Sequence, residues 1–155
     1  MTALKIGDKA PEFSLPVVGD KKISLADFKG QKLVLYFYPK DDTPGCTIEA
    51  QDFSNSLDDF KKNNIAVIGV SKDSLQSHDS FCNKYKLKLT LASDVDGKAC
   101  EAYGVWVEKS MFGKKYMGIN RATFLIDSEG KIAHIWPNVS VDEHAREVLE
   151  KAKLN

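Results

Sequence analysis

The chain of 155 residues is 43% hydrophobic and 28% charged, the usage of a globular protein and not of a disordered one. Its 22 basic and 22 acidic side chains cancel, so no strong overall field draws it to nucleic acid or to an anionic membrane. The longest apolar run, Leu33 to Tyr38, is far short of the roughly 20 residues a spanning helix needs.

The length suits one domain, residues 1–155, with a core of its own. Met1 to Asp8 lacks the apolar centre of a signal peptide. The three cysteines, Cys46, Cys82 and Cys100, are an odd set without Cys-x-x-Cys spacing, which fits neither a secreted disulfide framework nor a zinc ribbon. The expected location is therefore cytoplasmic.

Phe13 to Ser24 predicts two short strands around the turn Gly19-Asp20. Lys32 to Tyr38 is a continuous β-type run stopped by Pro39, as in a strand buried on both faces. A helix follows, with Thr43 at its N-cap, Pro44 at its first position and Ala50, Phe53, Leu57 and Phe60 as one apolar stripe. Ile65 to Val70 is a second buried strand. Asp73 to Gln76 has the form of a capping box for a helix with the stripe Leu75, His78, Cys82 and Tyr85. Asp94 to Gly97 reads as a plain turn before a short helix, Lys98 to Tyr103, because the other ligands of a calcium loop are missing. Met111 to Met117 reads as a solvated turn, with a hairpin bordering the site as the alternative. Arg121 to Asp127 and Lys131 to Trp136 are strands around Ser128-Glu129-Gly130. Ser140 and Glu143 predict a capping box for a last helix whose face is Val141, Ala145, Val148, Leu149 and Ala152. The result is an α/β fold: an N-terminal β-hairpin and a mixed central sheet flanked by helices.

Cys46 falls at the third helical position, where backbone N–H groups lack intrahelical partners and the helix dipole favours a thiolate. It also begins the inward stripe, so the thiol is expected in a recess at a strand-to-helix junction. Asp41 and Asp42 oppose a thiolate unless they face solvent, which is their expected placement. A buried structural cysteine is the competing reading. Only Arg121 and Arg146 among the 22 basic residues are arginine. Arg146 lies on a polar helix face. Arg121 opens an apolar strand, where a guanidinium can donate several fixed hydrogen bonds, or can be an ordinary strand-end charge. His78, His134 and His144 have no ligand spacing or cysteine partner and read as surface or helix filler.

The stretch Tyr36-Phe37-Tyr38-Pro39 through Cys46-Thr47-Ile48-Glu49-Ala50 resembles the active-site segment of peroxiredoxins, above all the peroxiredoxin Q or bacterioferritin comigratory class. The likeness runs nearly end to end, through Gly7-Asp8-Lys9-Ala10-Pro11-Glu12-Phe13, Asp96-Gly97, Tyr103-Gly104-Val105 and Arg121-Ala122-Thr123-Phe124-Leu125-Ile126-Asp127. It implies a thioredoxin-like fold and thiol-dependent reduction of hydrogen peroxide and organic hydroperoxides, with no metal or other cofactor. By position, Cys46 is implied as the peroxidatic nucleophile. Thr43 is implied to hydrogen-bond the peroxide and hold the thiolate, Pro39 to shield the pocket, and Arg121 to stabilise the thiolate and polarise the O–O bond. Glu49 is implied to orient Arg121, with a plain helix-surface role as the alternative.

Many members of the class carry a resolving cysteine five residues after the nucleophile, where this chain has Gln51. A second subclass places it on the next helix, which matches Cys82. The resemblance then implies a Cys46–Cys82 disulfide, formed after local unwinding and reduced by thioredoxin or a similar dithiol, in a monomer. Cys82 as core filler, with an external thiol resolving Cys46, is the alternative. A thiol–disulfide oxidoreductase and a redox sensor on the same fold are further ones. Cys100 is assigned to packing.

Overall fold

The computed structural model describes residues 3–154; Met1 and Thr2 of the N-terminal stretch, and Asn155, lie outside them. The chain begins with a hairpin, β1 (Ser14–Val17) and β2 (Lys21–Ser24), and a 3-10 turn, Leu25–Phe28. Next come β3 (Lys32–Phe37), α1 (Pro44–Asn55), α2 (Leu57–Lys62), β4 (Ile65–Ser71), α3 (Leu75–Tyr85), β5 (Thr90–Ser93) and α4 (Lys98–Ala102). A second hairpin, β6 (Trp106–Met111) and β7 (Lys114–Ile119), precedes β8 (Ala122–Ile126), β9 (Ile132–Trp136) and α5 (His144–Leu154).

The main sheet has seven strands in the order β2-β1-β5-β4-β3-β8-β9, while β6 and β7 pair only with each other. Parallel pairing of β3 with β4 and of β4 with β5 comes from the two βαβ crossovers; the hairpins and β3 with β8 are antiparallel. The expected mixed sheet is therefore observed, with helices against it.

The apolar run in β3 is explained by two cores, one on each side of the sheet. Leu33, Leu35 and Phe37 join Phe13, Tyr103 and Phe124 on one face. Val34, Tyr36 and Tyr38 join Cys46, Phe53, Phe81, Leu125 and Val148 on the other. Alternate side chains of one strand enter opposite cores, so no polar alternation survives in the sequence. Gly69 in β4 makes room for this packing: a Cβ there would lie 2.7 Å from Tyr36 Cζ and 2.8 Å from Leu91 Cδ2.

Several local expectations are corrected. The helix after Thr43 is broken at Ser56 (φ −94°, ψ 0°), so Leu57 and Phe60 belong to α2. Asn55 and Ser56 favour leaving the helical path, and burial of Leu57 and Phe60 draws the chain back. The cap of α3 is Ser74, whose side chain accepts from the Ser77 N–H, and not a box from Asp73 to Gln76. Glu143 adopts a left-handed conformation (φ 61°), so α5 starts at His144 without the expected Ser140 box. Met111 to Met117 is not a simple turn, since all but Phe112 and Gly113 lie in the β6–β7 ladder. Strand β5 has too short an apolar stretch to stand out by pattern. Among the described residues, no helix is long and apolar enough to cross a membrane.

Candidate active site

The antiparallel register of β3 and β8 aligns Phe37 with Ala122. It thereby sets Arg121, just before β8, beside the loop that leaves β3 for α1. Pro39 is half-buried at that exit. Thr43 takes extended N-cap geometry (φ −99°, ψ 155°), Pro44 opens the helix, and the Thr43 carbonyl accepts the first helical bond from the Thr47 N–H at 2.8 Å. Cys46 is then the third helical residue, and its side chain is 1% exposed. The thiol lies in the first turn, where free N–H groups and the dipole favour negative charge.

Arg121 bridges two groups of that helix. Its Nη2 donates to Cys46 Sγ at 3.3 Å and its Nη1 donates to Glu49 Oε1 at 2.6 Å. The planar fork suits this double contact, which a lysine ammonium cannot reproduce in one plane. Gly45 permits the approach: a Cβ there would meet Arg121 Nη2 at 3.2 Å. Burial works against the charge on Arg121, but Glu49 and Cys46 outweigh it and raise the proton affinity of the guanidinium.

Glu49 is not a surface residue; it is 1% exposed. Burial pushes its carboxyl up to about 7, against the downward pull of Arg121. Its Oε2, like Tyr36 Oη, has no hydrogen-bond partner among the described residues. The acid is thus held in place by one oxygen and desolvated at the other. Between about pH 4.5 and 7 the unfolded chain ionises Glu49 while the folded chain keeps the proton, so stability falls as pH rises through this window. Glu49→Gln is expected to flatten that dependence by about 3 kcal/mol, measured as urea unfolding at pH 5 and pH 8. An unchanged pH slope would show that the carboxyl is ionised throughout.

Thr43 is at the N-cap as expected, but its side chain does not cap the helix. Its Oγ1 donates to the Lys40 carbonyl at 2.8 Å, so the proton is turned away from the sulfur. Asp41 corrects the expectation of a solvent-facing pair: it is 7% exposed, while Asp42 is at the surface. The reason is a set of partners remote in sequence, Ser77 and His78 on α3. His78 and His144 are accordingly buried and hydrogen-bonded, not surface filler; His144 pairs with Thr123 Oγ1 at 2.8 Å.

All three cysteines are free thiols. Cys82 is half-buried on α3, packed against the core that holds Cys46, and its thiol is pushed up to about 11 by burial, then by Asp41 and Asp79. Cys100 is fully buried in the opposite core, and burial pushes its thiol up further. Lys109 of β6 was not singled out by sequence. It is half-buried, and its charge is disfavoured by burial and by Arg121 and favoured by Cys46, so the second hairpin borders the site.

Residues 6–135 match the AhpC/TSA family. The chain is 44% identical over 153 residues to peroxiredoxin Bcp of Escherichia coli, covering 99% of this chain and 98% of that one. It is similar in structure to a Cys-to-Ser mutant of Xylella fastidiosa PrxQ, with TM-score 0.94, 42% identity and coverage of 99% and 98%. It is also similar to the bacterioferritin comigratory protein of Xanthomonas campestris, a protein described for its alkyl peroxide reduction activity, with TM-score 0.92, 40% identity and coverage of 100% and 99%.

Proposed function

Because this chain belongs to the AhpC/TSA family, as a peroxiredoxin and hence a thiol peroxidase, we propose that Cys46 is the sulfur that attacks the peroxide and Cys82 the one that resolves it. The observation that carries the first assignment is the Arg121 bridge from Glu49 to the sulfur at the head of α1.

In the first step the Cys46 thiolate attacks one peroxide oxygen. The S–O bond forms, the O–O bond breaks, and the departing alkoxide or hydroxide takes up a proton. Sulfur is oxidised to sulfenic acid and the peroxide is reduced to alcohol or water. Arg121 supplies the fixed positive charge at the sulfur and at the leaving oxygen. Thr43 Oγ1, its hydroxyl donating to the Lys40 backbone carbonyl, keeps its lone pairs as acceptors for the peroxide O–H. Pro39 screens the loop side from water, and Glu49 fixes the guanidinium. No metal or organic cofactor is needed for this electron balance.

Resolution joins Cys46–SOH and Cys82–SH as a disulfide and releases water. Thioredoxin or a similar dithiol then returns both sulfurs to thiols. This cycle is assigned to a cytoplasmic monomer in which residues 1–155 act as one domain. The pairing is supported by the place of Cys82 beside the same core as Cys46, and by Gln51 standing where the nearer cysteine of other members falls.

Stoichiometric peroxide is expected to lower the titre from three thiols to one and to yield a peptide linking Cys46 to Cys82. Cys82→Ser is expected to keep the first burst of peroxide consumption and lose turnover with the dithiol donor. Loss of the thiol titre at Cys46 alone, with turnover intact in Cys82→Ser, would assign resolution to an external thiol.

A further inference from the structure

The loop between β3 and α1 is fastened to α3 at two places, one on each side of Cys82. On the buried side, Asp41 Oδ1 accepts from Tyr38 Oη at 2.5 Å, and Oδ2 accepts from Ser77 Oγ at 2.8 Å and lies 2.7 Å from His78 Nδ1. The Asp41 N–H donates to Asp73 Oδ2 at 2.8 Å, which also accepts from Ser71 Oγ at 2.7 Å. His78 Nε2 faces the Ala92 carbonyl at 3.0 Å. Both ring nitrogens of His78 thus face oxygen atoms. On the exposed side, Asp42 accepts from Lys84 Nζ at 2.7 Å and from Tyr85 Oη at 2.5 Å. Asp42 itself is held at φ 59°, in the left-handed region. Asp41, Asp73 and His78 offer atoms within 4.8 Å of one another, but these hydrogen bonds already occupy them, which makes the cluster a strap and not an ion site.

We propose that Asp41 and Asp42 are positioning residues that strap the peroxidatic loop to α3 and set the rate at which Cys82 closes on oxidised Cys46. The inference rests on the reading of Cys82 as the resolving thiol. Cys46 is in the first turn of one helix and Cys82 is inside another, and a disulfide needs Cα atoms within about 7 Å and matching Cβ directions. Closure therefore requires backbone movement in the loop, in α3 or in both. Any such movement breaks the Asp41 and Asp42 bonds. While the strap holds, the loop stays competent for peroxide and Cys82 stays a half-buried thiol beside two carboxylates. When it opens, Cys82 loses that burial and the influence of Asp41 together. The strap thus favours the peroxide step and delays the disulfide step. A delayed sulfenic acid is exposed longer to a second peroxide, which oxidises it to sulfinic acid.

The test follows rapid mixing of reduced protein with hydrogen peroxide, with sulfenic acid, disulfide and sulfinic acid counted by quenching and mass spectrometry. Asp41→Asn is expected to speed disulfide closure about tenfold, since each charge-assisted bond it weakens is worth roughly that factor. Its sulfinic acid yield at fixed excess peroxide is expected to fall with it, and formation of sulfenic acid to slow. Ser77→Ala removes one bond from the same carboxylate with little risk to folding and is expected to move all three readouts the same way, less far. Ile132→Val, in the opposite core, is the destabilised control and is expected to leave closure unchanged; an equal acceleration there overturns the strap. A parent chain that forms the Cys46–Cys82 disulfide at a rate neither variant raises overturns the strap alone. A parent that forms no such disulfide overturns the pairing and the strap with it.

Discussion

Cys46→Ser is expected to abolish peroxide turnover with any dithiol donor, while the folded protein persists. A hydroxyl in this position remains protonated at neutral pH and cannot deliver the electron pair that breaks the O–O bond. No other thiol in the chain can take over. Burial, then Asp41 and Asp79, push the Cys82 thiol up, which disfavours its thiolate at neutral pH. Cys100 is raised further and is sealed in the opposite core. The loss is therefore one of chemistry. The serine hydroxyl can still accept from Arg121 Nη2, so the buried fork keeps its partner and the fall in stability should stay near 1 kcal/mol. Peroxide consumption and a urea melt on the same sample make the check. Residual turnover above a few per cent, with Cys82 or Cys100 found oxidised, would move the nucleophile to another sulfur.

The parts of the site that the sequence revealed are those with local causes. Leu33 to Tyr38 ending at Pro39, then Thr43-Pro44 ahead of an apolar stripe, locate a strand, a loop and a helix start from neighbouring residues alone, and Cys46 follows by counting. Arg121 stood out because the chain uses lysine almost everywhere else. The parts that escaped are held by partners far along the chain. Asp41 is buried because Ser77 and His78 reach it from α3, more than thirty residues on. Glu49 was reached only through the family likeness, as the partner of Arg121; its burial depends on that residue, which meets it from just before β8, 72 residues away. A carboxylate in a polar loop or on a helix carries no local mark of such a fate. The β6–β7 hairpin stood only as the second reading of Met111 to Met117, for the opposite reason. Its strands are largely exposed and mix Lys, Met, Ser and Tyr, so neither alternation nor a continuous apolar run announces them. The break at Ser56 was hidden because Leu57 and Phe60 keep helical spacing across it.

Arg121→Ala is expected to slow the oxidation of Cys46 by about 10²- to 10³-fold, the usual loss when one preorganised donor to a developing charge is removed. Two effects contribute and have to be separated. The first is chemical: the sulfur loses its donor at 3.3 Å and, in the proposed mechanism, the positive group that would meet the leaving oxygen. The second is structural, because Glu49 is then left buried with neither oxygen paired. A lone buried carboxylate costs several kcal/mol, so Glu49 will keep its proton to still higher pH and the variant will lose stability as the solution becomes more basic. Arg121→Ala with Glu49→Gln removes that charge and should restore much of the stability. If Arg121 acts on the reacting atoms, the double variant stays as slow as the single one. If it acts only by keeping α1 in place, rate and stability recover together. Arg121→Lys completes the argument: an ammonium keeps the charge but not the fork, so it can face Glu49 or Cys46 but not hold both in one plane. Its rate is expected to fall between that of the parent and that of Arg121→Ala, and a lysine variant as fast as the parent would show that charge alone, without the double contact, is what the sulfur requires.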